Sequence, residues 1–160
     1  MTSFKKAASR GFTIVELLIV IVVIGILAAL VVVTYNGIQQ KARDTERKTD
    51  VKALHGQLEA FQAQNGRYPT LTNVNDATWR STNMKGLDAA AMQDPKWVAT
   101  NVSCTVSGAA TLQGSTTPAT GCYGYAVTPA ACDNVATDCT SYTLTANLEG
   151  GGTFVKQSLN

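Results

Sequence analysis

From Leu17 to Val33 the chain reads LLIVIVVIGILAALVVV, seventeen residues without one charged or polar side chain. With Phe12, Ile14 and Val15 in front, the apolar stretch reaches roughly 20 residues, enough to cross the hydrocarbon core of a bilayer as a helix. A helix is required there, because lipid offers the backbone no hydrogen-bond partners. Lys5, Lys6 and Arg10 precede the stretch and no acid accompanies them. The positive-inside rule therefore keeps residues 1–11 in the cytoplasm and sends everything after about Thr34 outside.

A secretory signal peptide would have a shorter apolar core followed by an Ala-x-Ala-like cut site. Here the core is long and VVVTYNG follows it. A plain membrane anchor explains the hydrophobicity but has no use for Glu16, a carboxylate at the head of an otherwise apolar helix. Insertion scales put an acidic residue deep in a bilayer at roughly 3 kcal/mol, less near a helix end. Such a residue is a functional candidate by default.

The stretch Gly11-Phe12-Thr13-Ile14-Val15-Glu16, with its basic leader and the apolar helix behind it, resembles the class III signal segment of type IV pilins and pseudopilins. The resemblance is strong over about residues 5–40. It implies that a prepilin peptidase cuts between Gly11 and Phe12 and methylates the new amine of Phe12. It also implies that the apolar helix stays in the mature protein. Glu16 would then pair with the N-terminal amine of a neighbouring subunit during assembly. Bringing a lone carboxylate and a lone ammonium together in hydrocarbon relieves both and sets register. The sequence departs from many pilins in having no proline before Pro69; Gly25 matches a glycine common in the family.

Helical signals continue from Tyr35 to about Gln64, with no proline and frequent Ala, Gln, Lys, Arg and Glu. Asp44 and Lys48 have the spacing of an i,i+4 pair. Val51, Leu54, Leu58 and Phe61 form one apolar stripe, so the outer domain is expected to pack from about Val51 onward. The preceding KARDTERKTD lacks such a stripe and reads as a solvated or inter-subunit neck. Asn65-Gly66 is a stop signal with Pro69 behind it, and NGRYPT also resembles the end of the long helix in pseudopilins and many pilins. A helix from Phe12 to Gln64 would be on the order of 80 Å long, suited to a fibre stalk.

Residues 67–100 read as irregular, with one short helix near Asp88–Met92, and Trp79 and Trp97 as packing anchors. Val98–Val106, Tyr123–Thr128 and Tyr142–Leu148 carry strand composition, and Thr153–Ser158 returns after the Glu149-Gly-Gly-Gly turn. The expected fold is α+β: a long N-terminal α-helix, half transmembrane and half amphipathic, packed on a small antiparallel sheet. The expected organisation is a cleaved leader 1–11, a transmembrane and assembly helix 12–34, its continuation 35–66, and a globular head 67–160.

Cys104, Cys122, Cys132 and Cys139 all follow the apolar segment, and an even count in an exported region reads as two disulfides. Three pairings are open; Cys104–Cys122 and Cys132–Cys139 are preferred, because each closes a local loop between expected strands. A calcium site built from Asp133, Asn134 and Asp138 is conceivable, but the loop lacks regular oxygen-ligand spacing, and a polar turn closed by a disulfide is the simpler reading. Zinc has no Cys-x-x-Cys to hold it, and His55 stands alone in a helical stretch. No metal or cofactor is expected.

The net charge of +2 comes from the leader. Without residues 1–11, Lys+Arg falls from 13 to 10 against 11 Asp+Glu, a formal charge of −1. Charge therefore gives no support to a nucleic-acid partner. No phosphate loop, nucleophile motif or titratable cluster suggests an enzyme. The functional expectation is a type IV pilus subunit, major pilin-like, for adhesion, motility or DNA uptake. Its partners would be copies of itself, the prepilin peptidase and the assembly machinery. It would lie in the cytoplasmic membrane first and in a surface fibre afterwards. The alternatives are a major type II secretion pseudopilin and a minor pilin acting as adhesin or DNA receptor.

Overall fold

A computed structural model describes residues 11–160; the leader charges Lys5, Lys6 and Arg10 lie outside the described residues. The chain divides into two compact units between Gln39 and Gln40, and the secondary structure is α+β. The first element, α1, runs from Ile14 to Asn65 and contributes to both units.

In the N-terminal unit the described residues are almost entirely this helix. Every large apolar side chain from Phe12 to Ile38 is exposed. This helix is long and apolar enough to cross a membrane. Thr34, at the end of the apolar run, turns its hydroxyl back onto the carbonyls of Leu30 (3.1 Å) and Val31 (3.0 Å), so its polar atom is satisfied within the helix.

The C-terminal unit buries its apolar residues. Val51, Leu54 and Leu58 are fully buried at spacings of three and four, with Phe61 at the end of the stripe. Their partners come from a three-stranded antiparallel sheet in the order β3 (Tyr123–Thr128), β4 (Ser141–Asn147), β5 (Thr153–Gln157). Along β4, Tyr142, Leu144 and Ala146 alternate into the core, as a period of two requires. Complete burial of each such Val or Leu is worth about 1.5–3 kcal/mol. The amide of Gly66 closes the last turn on the Gln62 carbonyl at 2.7 Å, and its positive φ of 73° then turns the chain out of the helix.

The strap of residues 113–119 runs along the edge of β3 at Gln113 and then crosses part of the opposite face of the sheet. Gln113 bonds its backbone to Tyr123 and Tyr125, and Asn147 Nδ2 donates to the Pro118 carbonyl at 2.7 Å. Gly124 lies beneath the strap, where a Cβ would collide with the Ser115 carbonyl and the Pro118 ring.

Four expectations need correction. Residues 67–100 hold two short helices besides the 3₁₀ turn Ala89–Met92: α2 (Leu71–Asn75) and α3 (Ala77–Asn83). Thr70 caps α2 through the Asn73 amide, and Asp76 caps α3 through those of Thr78 and Trp79. These caps carry helices whose Thr- and Asn-rich interiors argue against them. The expected strand Val98–Val106 is strand only at β1 (Thr105–Val106), which pairs with β2 (Ala109–Ala110). Asn101 diverts the rest, taking the Ser103 amide on its side chain and donating to the Thr120 carbonyl. Asp44 pairs with Arg47, at 2.8 Å, and not with Lys48. The neck expected to be solvated or left to neighbouring subunits buries Asp44 and Arg47 inside the head.

Candidate processing and assembly site

Gly11, Phe12 and Thr13 precede the helix, and all three are exposed. Phe12 is 89% exposed, so the peptide bond between Gly11 and Phe12 lies outside the helix in exposed chain. Helix α1 then begins on a reciprocal cap. The Thr13 hydroxyl accepts from the Glu16 amide at 3.2 Å, and Glu16 Oε2 accepts from both the Thr13 amide and the Thr13 hydroxyl at 2.8 Å. This is the S/T-x-x-E arrangement that satisfies two orphan amides at a helix start. Thr13 was not among the sequence candidates, although the spacing Thr13-Ile14-Val15-Glu16 is its signal. Only Oε2 of Glu16 is engaged among the described residues, so Oε1 is open to a second donor.

The head holds all four cysteines in disulfides. Cys104–Cys122 has its Cα atoms 5.8 Å apart and Cys132–Cys139 5.1 Å apart. The second bridge closes the loop between β3 and β4, and the Tyr68 amide, donating to the Cys139 carbonyl at 2.9 Å, ties the segment after α1 to the start of β4. In the loop it closes, Asp133 Oδ1 accepts from the amides of Val135, Ala136 and Thr137. Those bonds, the Thr137 amide first, hold the Asp133 carboxyl below its ordinary range. Asn134 clasps the Tyr68 carbonyl and the Cys139 amide, and Asp138 turns to Arg67 at 3.0 Å. The three side chains considered for calcium thus each bind a different part of the protein. No group of three or more His, Cys, Asp or Glu side chains converges among the described residues.

A buried ionic cluster holds the head's hairpin to its helix. Arg47 forks onto Asp94 at 2.6 and 2.9 Å and reaches Asp44 at 2.8 Å and Glu149 at 2.9 Å. Arg43 and Lys96 also close on Glu149, at 2.7 Å each. Asp44 accepts the amides of Glu149 and Gly150 in the β4–β5 turn. Arg43 above all, with Lys96 and Arg47, holds the Glu149 carboxyl far below its usual range. Burial opposes the charge on Asp44, yet the two turn amides and Arg47 outweigh it and the carboxyl is depressed. Sequence alone does not show this cluster, because its members lie up to 106 residues apart.

Two further carboxylates tie α1 to tyrosines. Asp50 accepts the Tyr123 hydroxyl at 2.7 Å; Glu59 accepts those of Tyr142 at 2.7 Å and Tyr68 at 3.0 Å. His55 lies 3.1 Å from the Gln157 carbonyl through Nε2, an arrangement in which Nε2 carries the proton.

Comparison with known proteins points to the N-terminal segment. The prokaryotic N-terminal methylation motif matches residues 6–32. The chain is 44% identical over 61 residues to the type II secretion system core protein G of Dickeya chrysanthemi, covering 38% of this chain and 40% of that protein. It is 40% identical over 73 residues to the same protein of Aeromonas hydrophila, covering 46% and 51%. It is 38% identical over 65 residues to the type IV major pilin protein PilA of Myxococcus xanthus, covering 41% and 30%. The chain thus spans about half or less of the length of the curated relatives it matches. No solved structure matches it significantly.

Proposed function

We propose that this chain, similar over its N-terminal segment to type IV pilins and type II secretion pseudopilins, is the repeating subunit of a type IV pilus-like fibre, made as a membrane-held precursor. Prepilin peptidase cuts after Gly11 and methylates Phe12. The apolar helix holds the protein in the cytoplasmic membrane, head outward, until the assembly machinery packs that helix into a homopolymer.

The observation that carries this reading is Glu16: a carboxylate at the head of an apolar helix, with one oxygen spent on Thr13 and the other open. An ammonium four residues back on a neighbouring copy is the complementary group, and the pair forms only between subunits in register. A head that carries two disulfides and a buried ionic cluster suits a subunit exposed outside the cell. A second reading, the major pseudopilin of a type II secretion system, is favoured by the relatives named core protein G.

Intact-mass measurement and N-terminal sequencing of protein sheared from cells test the proposal. The expected product starts at N-methylated Phe12 and is four hydrogens light. A chain that retains Met1, or is cut after Val33, overturns it. Abundant long fibres in the sheared fraction select the pilus; a chain processed identically but absent from that fraction selects the pseudopilin.

A further inference from the structure

Among the described arginines, Arg43, Arg47 and Arg67 are each paired with a carboxylate. Arg80 is not. Its guanidinium is half-buried and donates only to the Val74 carbonyl, at 2.6 Å. Burial lowers its pKa, and Asp76 offsets this in part without closing an ion pair with it. A partly desolvated cation without a counter-charge is an unusual thing to keep on a surface.

Arg80 lines a cleft of about 310 Å³ together with Ser81 and Lys85, over an apolar floor that includes Met84 and Leu87. On the other side of Lys85 lies a second cleft of about 310 Å³, lined by the carboxamides of Gln57, Gln64 and Asn83, with Phe61 at its base. No acidic residue lines either cleft. Gln57 and Gln64 make no side-chain hydrogen bond among the described residues, so both carboxamides are open to a ligand.

We propose that these two clefts form one binding site, centred on Lys85, for an acidic saccharide. Nη1 of Arg80 is held on the Val74 carbonyl, which leaves Nε and Nη2 to meet a carboxylate at two points, and Lys85 lines the same cleft with a second charge. A carboxamide presents a donor and an acceptor side by side, which is what neighbouring sugar hydroxyls require. The apolar floor accepts the C–H face of a sugar ring. Nucleic acid is a poorer fit: its affinity grows with a long track of cations and with exposed rings for stacking. Here there are two cations, and Phe61 is only 9% exposed.

This inference does not depend on fibre assembly, so it is tested on the detergent-solubilised full chain. Binding to immobilised polygalacturonate is measured beside neutral dextran and duplex DNA. The expected result is binding to polygalacturonate alone, weakened roughly tenfold or more by Lys85→Gln and by Arg80→Gln. Lys85 is exposed, so its variant keeps the test valid where Arg80→Gln fails to fold. Gln57→Ala should weaken binding less. Absence of polygalacturonate binding, equal binding to dextran, full binding by Lys85→Gln, or duplex DNA bound through Lys85 would each overturn the proposal.

Discussion

The two units of the chain treat polar groups in opposite ways. In the N-terminal unit a single carboxylate, Glu16, is met within one helical turn by Thr13, and every large apolar side chain is exposed. In the head, charges are met by partners up to 106 residues away, and the apolar stripe of the helix is covered by the chain's own sheet. The first unit is locally satisfied and globally unsatisfied. Its stability depends on something outside the chain, lipid or other copies, whereas the head supplies its own core. One helix, α1, carries both strategies, and composition alone marks the change: Leu, Ile and Val without interruption, then charges that find buried partners.

The sharpest way to break this contrast is Glu16→Gln. Glutamine keeps the S/T-x-x-E/Q cap but removes the charge. The protein should remain membrane-inserted while fibre yield in the sheared fraction falls at least tenfold. Normal yield would mean that Glu16 serves its own helix alone, and the N-terminal unit would then be as self-contained as the head.

The head should respond to single changes by losing stability. Arg47→Ala leaves Asp94 and Asp44 without their shared cation and should cost about 3–5 kcal/mol, read from thermal or urea melts followed by the fluorescence of Trp79 and Trp97. Arg67 and Asp138 form the same kind of pair at the surface, with side chains 43% and 60% exposed; Arg67→Ala is the internal control and should cost less than about 1 kcal/mol. Removing Cys104–Cys122 as a double serine variant should cost about 3 kcal/mol, and removing Cys132–Cys139 about 2.5, because the shorter loop restrains the unfolded chain less. An equal loss from Arg67→Ala and Arg47→Ala would refute the claim that burial makes the cluster important.

Acid sharpens the comparison further. Glu149 and Asp44 have folded pKa values below their unfolded ones. The stability they contribute is therefore complete above the ordinary carboxylate range and is lost as pH falls through the depressed folded values. Glu149→Gln should destabilise the head at pH 7 and flatten its acid limb, so that the gap between variant and wild type narrows as pH falls below the ordinary carboxylate range. Asp50 runs the other way. Burial raises its pKa against the bond from Tyr123, so its protonation favours the fold as pH falls. A wild-type acid limb unchanged by Glu149→Gln would remove the cluster from the explanation.

How far the sequence was legible follows the same division. The apolar helix can be read from a window of about 25 residues, because it is specified by neighbours along the chain, and the methylation motif matched over residues 6–32 falls in the same window. The stripe Val51-Leu54-Leu58-Phe61 and the strands of the sheet were legible for the same reason: period 3.6 in one and Val-, Thr- and Tyr-rich composition in the other. The ionic cluster was not. Nothing within reach of Arg47 in sequence announces Asp94 or Glu149, so KARDTERKTD reads as solvated until the fold closes over it. Helices α2 and α3 were hidden by composition, since capping by Thr70 and Asp76 outweighs weak interior propensity in elements of five and seven residues. The Asn101 turn was hidden by the valines around it, whose β preference yields to side-chain bonds from one asparagine.

The smallest expected effect separates the cap that Glu16 makes from the assembly role proposed for it. Thr13→Val removes the hydroxyl that donates to Oε2 and accepts from the Glu16 amide, but leaves the Thr13 backbone amide, the carboxylate and its charge. If the cap merely starts the helix, a membrane helix of this length loses little, because its remaining backbone bonds are intact and lipid enforces them. Fibre yield from Thr13→Val should therefore stay within about twofold of wild type, and Thr13→Ser should be indistinguishable from it. A collapse comparable to that of Glu16→Gln would give a different account of the N-terminus. The hydroxyl would then be what aims the carboxylate at its partner, and Thr13 would join Glu16 as an assembly residue.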